Sequence, residues 1–418
     1  MKPKRINFKE IYKTESIDLS HNIHSYTAKM IPQISRYLIE RYSEKDDLVL
    51  DPFCGSGTTL LEACLLGRNA VGIDINPLAS LISKVKTTPL DVSKLDLAIR
   101  LLMGMLKGSC SRAKVDFPNI DYWFGEQAKE ELSKIKFCIE MSGEFDENIR
   151  DFMLVGFSSI IRKSSYADPR MAKTYKSKRV LKKIKDGWVP HPLQYFEDAL
   201  RRNFERITAT SINANLRNHF AKVFAGDAKE AQSILKYNGI DKVDLIVTSP
   251  PYINAQDYFR SYKLELWWLG LATPSEVSCL NKRAIGTEHI SGFDCQNMPR
   301  SQYRLLESII RRIWSKTNPM SKRKAYIVNE YFAKMETVLR TLRRVLKQKG
   351  FLCIVTGNNT ICEVQIPTYR ILAQIAEENG FALSEIYCDE IRNRSLFLER
   401  NHKGGIIKEE WITVFQKE

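Results

Sequence analysis

Two short strings in this 418-residue chain carry residue types that can do chemistry: Asp51-Pro52-Phe53-Cys54-Gly55-Ser56-Gly57-Thr58-Thr59 and, far downstream, Thr248-Ser249-Pro250-Pro251-Tyr252. The glycines of the first let a backbone close on a ligand. The paired prolines of the second make a stiff loop that presents a hydroxyl, a carbonyl and an aromatic ring. An exocyclic amino nitrogen on a nucleobase is a poor nucleophile, because its lone pair is delocalised into the ring. Acceptors such as the Ser249 hydroxyl and the Pro250 carbonyl, taking hydrogen bonds from the N–H groups, favour a pyramidal nitrogen whose lone pair can attack. Held by Pro250 and Pro251, these acceptors need no reorganisation in the transition state. Tyr252 can stack on a base drawn out of its helix. The chemistry is modification of a base amino group, with neither a metal nor a covalent cysteine intermediate.

Both strings need strands behind them. The apolar run from Asp47 to Leu50 reads as a buried parallel strand that stops at Asp51-Pro52, and Thr58 opens an apolar helix closed by Gly67. A second strand, Ala70 to Asp74, ends on an acid about twenty residues past the loop, the position that binds ribose hydroxyls in nucleotide-binding α/β units. Asp51, Phe53, Cys54, Gly55, Gly57, Thr58, Asp74 and Ile75 are therefore the candidate cofactor contacts. The run Val243 to Val247 predicts the strand that delivers Ser249. A shorter strand from Val223 leads to Asp227 and Ala228, where Asp227 reads either as a cofactor contact or as a helix cap.

These strings resemble motifs I and IV of the S-adenosylmethionine-dependent DNA amino-methyltransferases, D-P-F-x-G-S-G-T-T and [DNS]-P-P-[YFW]. The resemblance implies a Rossmann-like α/β fold, a seven-stranded methyltransferase sheet with largely helical insertions for target recognition, and S-adenosyl-L-methionine as cofactor. It also implies roles: Asp227 bonds the cofactor adenine with Ala228 lining its pocket, as in motif III, and Thr27 and Lys29, in the string His24 to Gln33, sit beside the methionine end, as in motif X. Members with S-P-P-Y methylate mostly cytosine N4, so Ser249 points to N4-methylcytosine. Adenine N6 in DNA, an RNA amino-methyltransferase acting on guanine or cytosine, and a non-catalytic DNA-binding protein are the alternatives. A restriction-modification setting, with a cognate restriction endonuclease as partner, is consistent with the resemblance.

Composition agrees with a nucleic-acid partner. The net charge is +15, from 64 Lys and Arg against 49 Asp and Glu, and it is clustered: Arg162, Lys163, Arg170, Lys173, Lys176, Lys178 and Arg179 lie in a stretch whose sole acid is Asp168, followed by Lys182, Lys183 and Lys185. Double-stranded DNA is the expected partner of such a stretch, through counterion release. Nine scattered cysteines without a C-x-x-C pair fit reduced thiols, no ligand spacing suggests a metal, and no apolar run suggests a membrane, so a cytoplasmic protein is expected. The expected divisions are residues 20–90 for the cofactor half of the core, 91–220 for a basic, mainly helical recognition region, 221–256 and 341–418 for the catalytic half, and 257–340 for a second helical insertion. Aromatics such as Trp123, Phe124, Trp267 and Trp268 read as core in preference to base-stacking platforms.

Overall fold

The computed structural model describes residues 2–12, 20–27, 29–141, 146–171, 173–253, 258–290, 292–317, 320–391 and 407–418. Ala28, inside the His24 to Gln33 string, lies outside them. The strands in chain order are β1 Lys4–Arg5, β2 Leu48–Asp51, β3 Asn69–Asp74, β4 Ala221–Ala225, β5 Val243–Thr248, β6 Leu346–Gly357, β7 Asn359–Ile361, β8 Val364–Ile366, β9 Phe381–Glu390 and β10 Glu409–Lys417. Eight of them form one sheet in the order β1-β9-β10-β6-β5-β2-β3-β4, and β7 and β8 form a separate hairpin. The expected seven strands are all present; the eighth is the two-residue β1, which pairs parallel to β9 at the edge. Within this sheet, among the described residues, β10 alone runs against both neighbours, antiparallel to β6 and β9.

Alternation along the strands explains why the central ones read as unbroken apolar runs. Val49 belongs to a core with Leu61, Leu245 and Val247, against helices Pro32–Tyr42 and Thr58–Leu65. Its neighbour Leu50 faces the opposite core with Ile246, Leu352 and Phe332, under helices Ser321–Val345 and Thr368–Glu378. Both faces are covered, so both must be apolar. Helix Ser321–Val345 packs on the sheet, so the boundary expected at 340 falls inside an element of the core.

Between β3 and β4 the chain is helical, as the pattern predicted: after Pro77–Thr87 come Val92–Lys107, Glu126–Met141, Glu147–Ile161, Lys178–Lys185 and Pro192–Ser211. All of these but Lys178–Lys185 share one core with helix Tyr258–Leu269 of the second insertion. Trp268 is fully buried there, with ring centroids 5.5 Å from Phe124 and 6.3 Å from Phe157. Most of the insertion aromatics thus work as packing, although Tyr122 stays half exposed.

Strand order positions the site. From β2 the chain moves to β3 and β4 on one side, and then returns to lay β5 on the other side of β2. Connections leave β2 and β5 in opposite directions, which opens a crevice at their carboxyl ends. Both chemical strings begin there.

Candidate active site

The two strings meet through one hydrogen bond. Thr248, the last residue of β5, donates from Oγ1 to Oδ1 of Asp51, the last residue of β2, at 2.6 Å, with both side chains buried. Asp51 also accepts from the Phe53 amide at 3.1 Å. Burial nevertheless pushes its carboxyl up to about 6. The link fixes the glycine loop and the S-P-P-Y loop relative to one another from inside the sheet.

Above it lies a cleft enclosing about 1000 Å³, open solvent at its mouth included, lined by residues from both strings. Thr27, Lys29, Asp51, Phe53, Cys54, Gly55, Thr58, Asp74, Ile75, Asp227, Ala228, Ser249 and Pro251 all border it. Gly57 stands one step back: at φ 75° it caps helix Thr58–Leu65, and its amide bonds the Cys54 carbonyl at 2.8 Å. Asp74 shapes the loop directly, accepting from the amides of Gly55 (2.9 Å) and Asn76 (2.8 Å), while burial lifts its carboxyl to about 6. Asp227 serves as the cap that the sequence offered. Its Oδ1 caps the turn Ala228–Glu230 by accepting from the Lys229 amide at 3.1 Å, and the residue also borders the cleft.

Lys29 reaches the cleft while donating to the His21 carbonyl at 3.0 Å, and Thr27 is held by Tyr262, whose hydroxyl accepts from its amide at 2.7 Å. Pro250 is buried, and Tyr252 is partly exposed. Burial pushes the Tyr252 phenol well above its usual range.

Several residues around the cleft escaped the sequence reading. Tyr26 stacks on Tyr262 with centroids 4.9 Å apart and planes 1° from parallel, and it lies over Gly55. Asn281, Ala284, Ile285 and Thr287 come from the second insertion and close one wall. Behind the loop, Lys86 is 1% exposed and donates to the Ser56 hydroxyl at 3.3 Å, and burial holds its amine well below the ordinary range. Nearby Glu62 is buried between His21 (2.7 Å) and Arg36 (2.8 Å). No motif or periodicity marks these positions, since each depends on the helices that fold over the loop.

The basic stretch divides. Arg162, expected among the DNA-contacting side chains, is instead committed inward: its guanidinium donates to the carbonyls of Ser261 (3.4 Å), Lys173 (3.1 Å) and Met171. Asp168, 1% exposed, accepts from Ser177 at 2.6 Å and pairs with Arg170 (3.3 Å) and Arg179 (3.0 Å), which hold its carboxyl low against the upward push of burial. Lys163 lies over the Tyr195 ring at 3.7 Å, and Lys176 over Tyr122 at 3.9 Å. Lys173, Lys178, Lys182, Lys183 and Lys185 are outward-facing or only partly covered, the last four on helix Lys178–Lys185, which anchors through buried Val180.

The cleft fits S-adenosylmethionine by its donor set. A partly buried Asp74, its carboxyl raised by desolvation, faces it beside Gly55, apolar Phe53 and Ile75 line it, and the Thr58 hydroxyl is buried without a hydrogen-bond partner among the described residues. Those described residues hold no cluster of His, Cys, Asp and Glu suited to a metal ion, and no helix long and apolar enough to cross a membrane.

Comparison with known proteins gives the family. A family model described as DNA methylase matches residues 1–84 and 243–418, the two blocks that carry the strings. Type II methyltransferase M.MvaI of Kocuria varians is 27% identical over 382 residues, 87% of this chain and 82% of its own length. Type II methyltransferase M.BsoBI of Geobacillus stearothermophilus is 23% identical over 443 residues, covering 95% and 85%. A tRNA (guanine(10)-N2)-dimethyltransferase of Methanocaldococcus jannaschii is 44% identical, but over only 48 residues, 11% of this chain and 14% of that one.

Proposed function

This chain belongs to the DNA methylase family of amino-methyltransferases, and from that premise we propose that its target atom is the exocyclic N4 of cytosine in double-stranded DNA. The cofactor is S-adenosylmethionine, which when bound supplies an electrophilic methyl group. Asp74 would hold the ribose hydroxyls, Asp227 and Ala228 the adenine, and Thr27 and Lys29 the methionine end. The observation that carries the reading is the 2.6 Å bond from Thr248 to Asp51, which sets Ser249 at the wall of the cleft that Gly55 floors.

In this reading the Ser249 hydroxyl and the Pro250 carbonyl accept from the target amino group, and Pro250 and Pro251 keep both acceptors stationary. Tyr252 stacks on the extruded base. Serine, in place of aspartate, before Pro250 favours cytosine N4 over adenine N6. The lysines of helix Lys178–Lys185, with Lys173, Arg170 and Arg179, engage phosphates and set the duplex across the cleft. Relatives of the type II class support extending the proposal to a cognate restriction endonuclease as cellular partner, with the enzyme acting on DNA in the cytoplasm.

Incubation with methyl-labelled S-adenosylmethionine and, in parallel, PCR-amplified bacterial DNA or bacterial RNA, followed by digestion to nucleosides, tests this. Label is expected in N4-methyldeoxycytidine. Label in N6-methyldeoxyadenosine would overturn the base assignment, and label found only in RNA nucleosides would overturn the choice of polymer.

A further inference from the structure

Beyond Tyr252, at the carboxyl end of the sheet, three residues form a row across adjacent strands. Gly357 of β6 is the register partner of Glu410 of β10, and Glu410 is the register partner of Asp389 of β9. Residues directly opposite in an antiparallel ladder send their side chains to the same face. At Gly357 that direction is defined: a Cβ built there would lie 3.3 Å from Cε2 of Tyr252. Glu410 therefore projects on the face where the Tyr252 ring lies, with Asp389 beside it. Like-charged side chains on opposed positions resist joint ionisation.

Three groups of opposite or titratable character face Glu410 from the elements around it: Asp389 from β9, Lys9 from the short helix Phe8–Ile11, and Tyr252 from the target loop. Burial and then Asp389 lift the Glu410 carboxyl to about 7, against the pull of Lys9. Tyr252 feels the Glu410 charge more than that of any other group, while Ser249 acts on its phenol in the opposite sense. Glu410 thus shares a sheet face with the Tyr252 ring, and Ser249, three residues before Tyr252 in the same loop, stands at the wall of the cleft.

We propose that Glu410 accepts the proton released by the target amino group, passed through the hydroxyls of Ser249 and Tyr252, with Asp389 as its electrostatic partner. This rests on the amino-methyltransferase reading of the cleft. As the amino nitrogen gains its methyl carbon, the electron pair of the broken carbon–sulfur bond stays on sulfur, and the nitrogen carries one proton too many. Ser249 takes that proton while handing its own to Tyr252, and Tyr252 hands its own to Glu410. Both hydroxyls are regenerated, and the carboxylate ends as the neutral acid. Glu410 acts through Tyr252 and is a positioning residue in that sense.

The test is single-turnover methylation of PCR-amplified bacterial DNA between pH 5.5 and 8.5, with S-adenosylmethionine saturating at every pH, by the wild-type, Glu410→Gln and Asp389→Asn proteins. Alongside it, a difference infrared titration of the cofactor-free proteins follows the protonated-carboxyl band. Wild type is expected to lose rate on the acid side, with a midpoint near the band's own titration. Glu410→Gln should slow the chemical step by about a hundredfold, abolish that limb and remove the band. Asp389→Asn, which takes away the neighbouring negative charge, should move the limb and the band to lower pH. An active wild type with Glu410→Gln within twofold of it and the same limb would overturn the relay. So would an Asp389→Asn limb that does not move, which keeps the test open should Glu410→Gln fail to fold. A wild type that puts no label into a base amino group would instead overturn the reading on which the relay rests.

Discussion

Replacing Thr248 by valine removes one hydroxyl from the seam between the two motif loops and keeps the shape of the side chain. In the native chain that hydroxyl bonds Asp51 at 2.6 Å in a site where both residues are buried. A hydrogen bond to a charged group contributes about 1.5–3 kcal/mol, so stability at pH 8 should fall by about that much. The pH dependence is the sharper part. Burial already sets Asp51 at about 6, above the ordinary 3.8. Because the folded state binds this proton more tightly than the unfolded chain, the ionised carboxylate opposes folding at high pH. At about 1.4 kcal/mol per tenfold, that opposition amounts to about 3 kcal/mol. It fades as pH falls through 6 and is gone below 4. Without Thr248 the carboxylate loses a donor that favours its charged form, so its opposition grows and extends further upward in pH. Urea denaturation of the two proteins from pH 4 to pH 8 should therefore give curves that diverge as pH rises, with the difference at pH 4 shrinking to about 1 kcal/mol, the size of a neutral hydrogen bond. A constant difference across that range, or one below about 0.5 kcal/mol at pH 8, would refute the assignment of this bond as the clasp on an ionised Asp51.

The site carries further expectations. Ser249→Ala should lower the single-turnover rate by tenfold or more while leaving the calorimetric Kd for S-adenosylmethionine within about twofold; equal loss of both would make the loop purely structural. Gly57→Ala should lower thermal stability by roughly 2 kcal/mol or more: φ of 75° alone costs an L-residue about 1–2 kcal/mol, and the new Cβ would lie 2.8 Å from the Ser83 hydroxyl. Cofactor affinity should fall as pH drops through about 6, because protonating Asp74 replaces an acceptor of ribose hydroxyls with a donor, and Asp74→Asn should bind weakly with that dependence gone. Changing Lys178, Lys182 and Lys185 together to Gln should flatten the log–log salt dependence of duplex binding by about 0.9 for each phosphate no longer neutralised; an unchanged slope would show that this helix does not engage the phosphate backbone.

The cofactor half was readable from sequence because its signals are local. Val49 and Leu50 serve opposite cores yet are both apolar, Gly57 caps the next helix, and Asp74 closes the next strand, all within a short stretch. The hairpin β7–β8 was not readable. It turns on Cys362 and Glu363, both at positive φ, where Asn and Gly would have announced the turn. The start of β6 carries no apolar signal either: it begins at Leu346, four residues before the apolar run that opens at Gly350, and Lys349 at φ 61° interrupts its register with β5. Charge misled at Arg162, whose partners are backbone carbonyls from Met171, Lys173 and Ser261. Counting cations along a sequence gives no sign of which guanidinium is needed to fasten a loop. The Gly357–Glu410–Asp389 row was hidden for a different reason, since it exists only through pairing of three strands spread over the last part of the chain.

The antiparallel strand β10 also bears on how the molecule is made. It pairs with β6 along one edge and β9 along the other, so β9, with β1 beyond it, joins the sheet only through residues 409–417. During synthesis the strands that floor the cofactor cleft can pair early, β2 with β3 across about twenty residues, while β9 has no place in the sheet until β10 has left the ribosome. A nascent chain would then carry a formed methyl-donor pocket beside an unpaired β6 edge, the kind of edge that invites association with other chains. Loss of this one strand would be expected to yield a protein that aggregates, even with every residue of the cofactor loop intact.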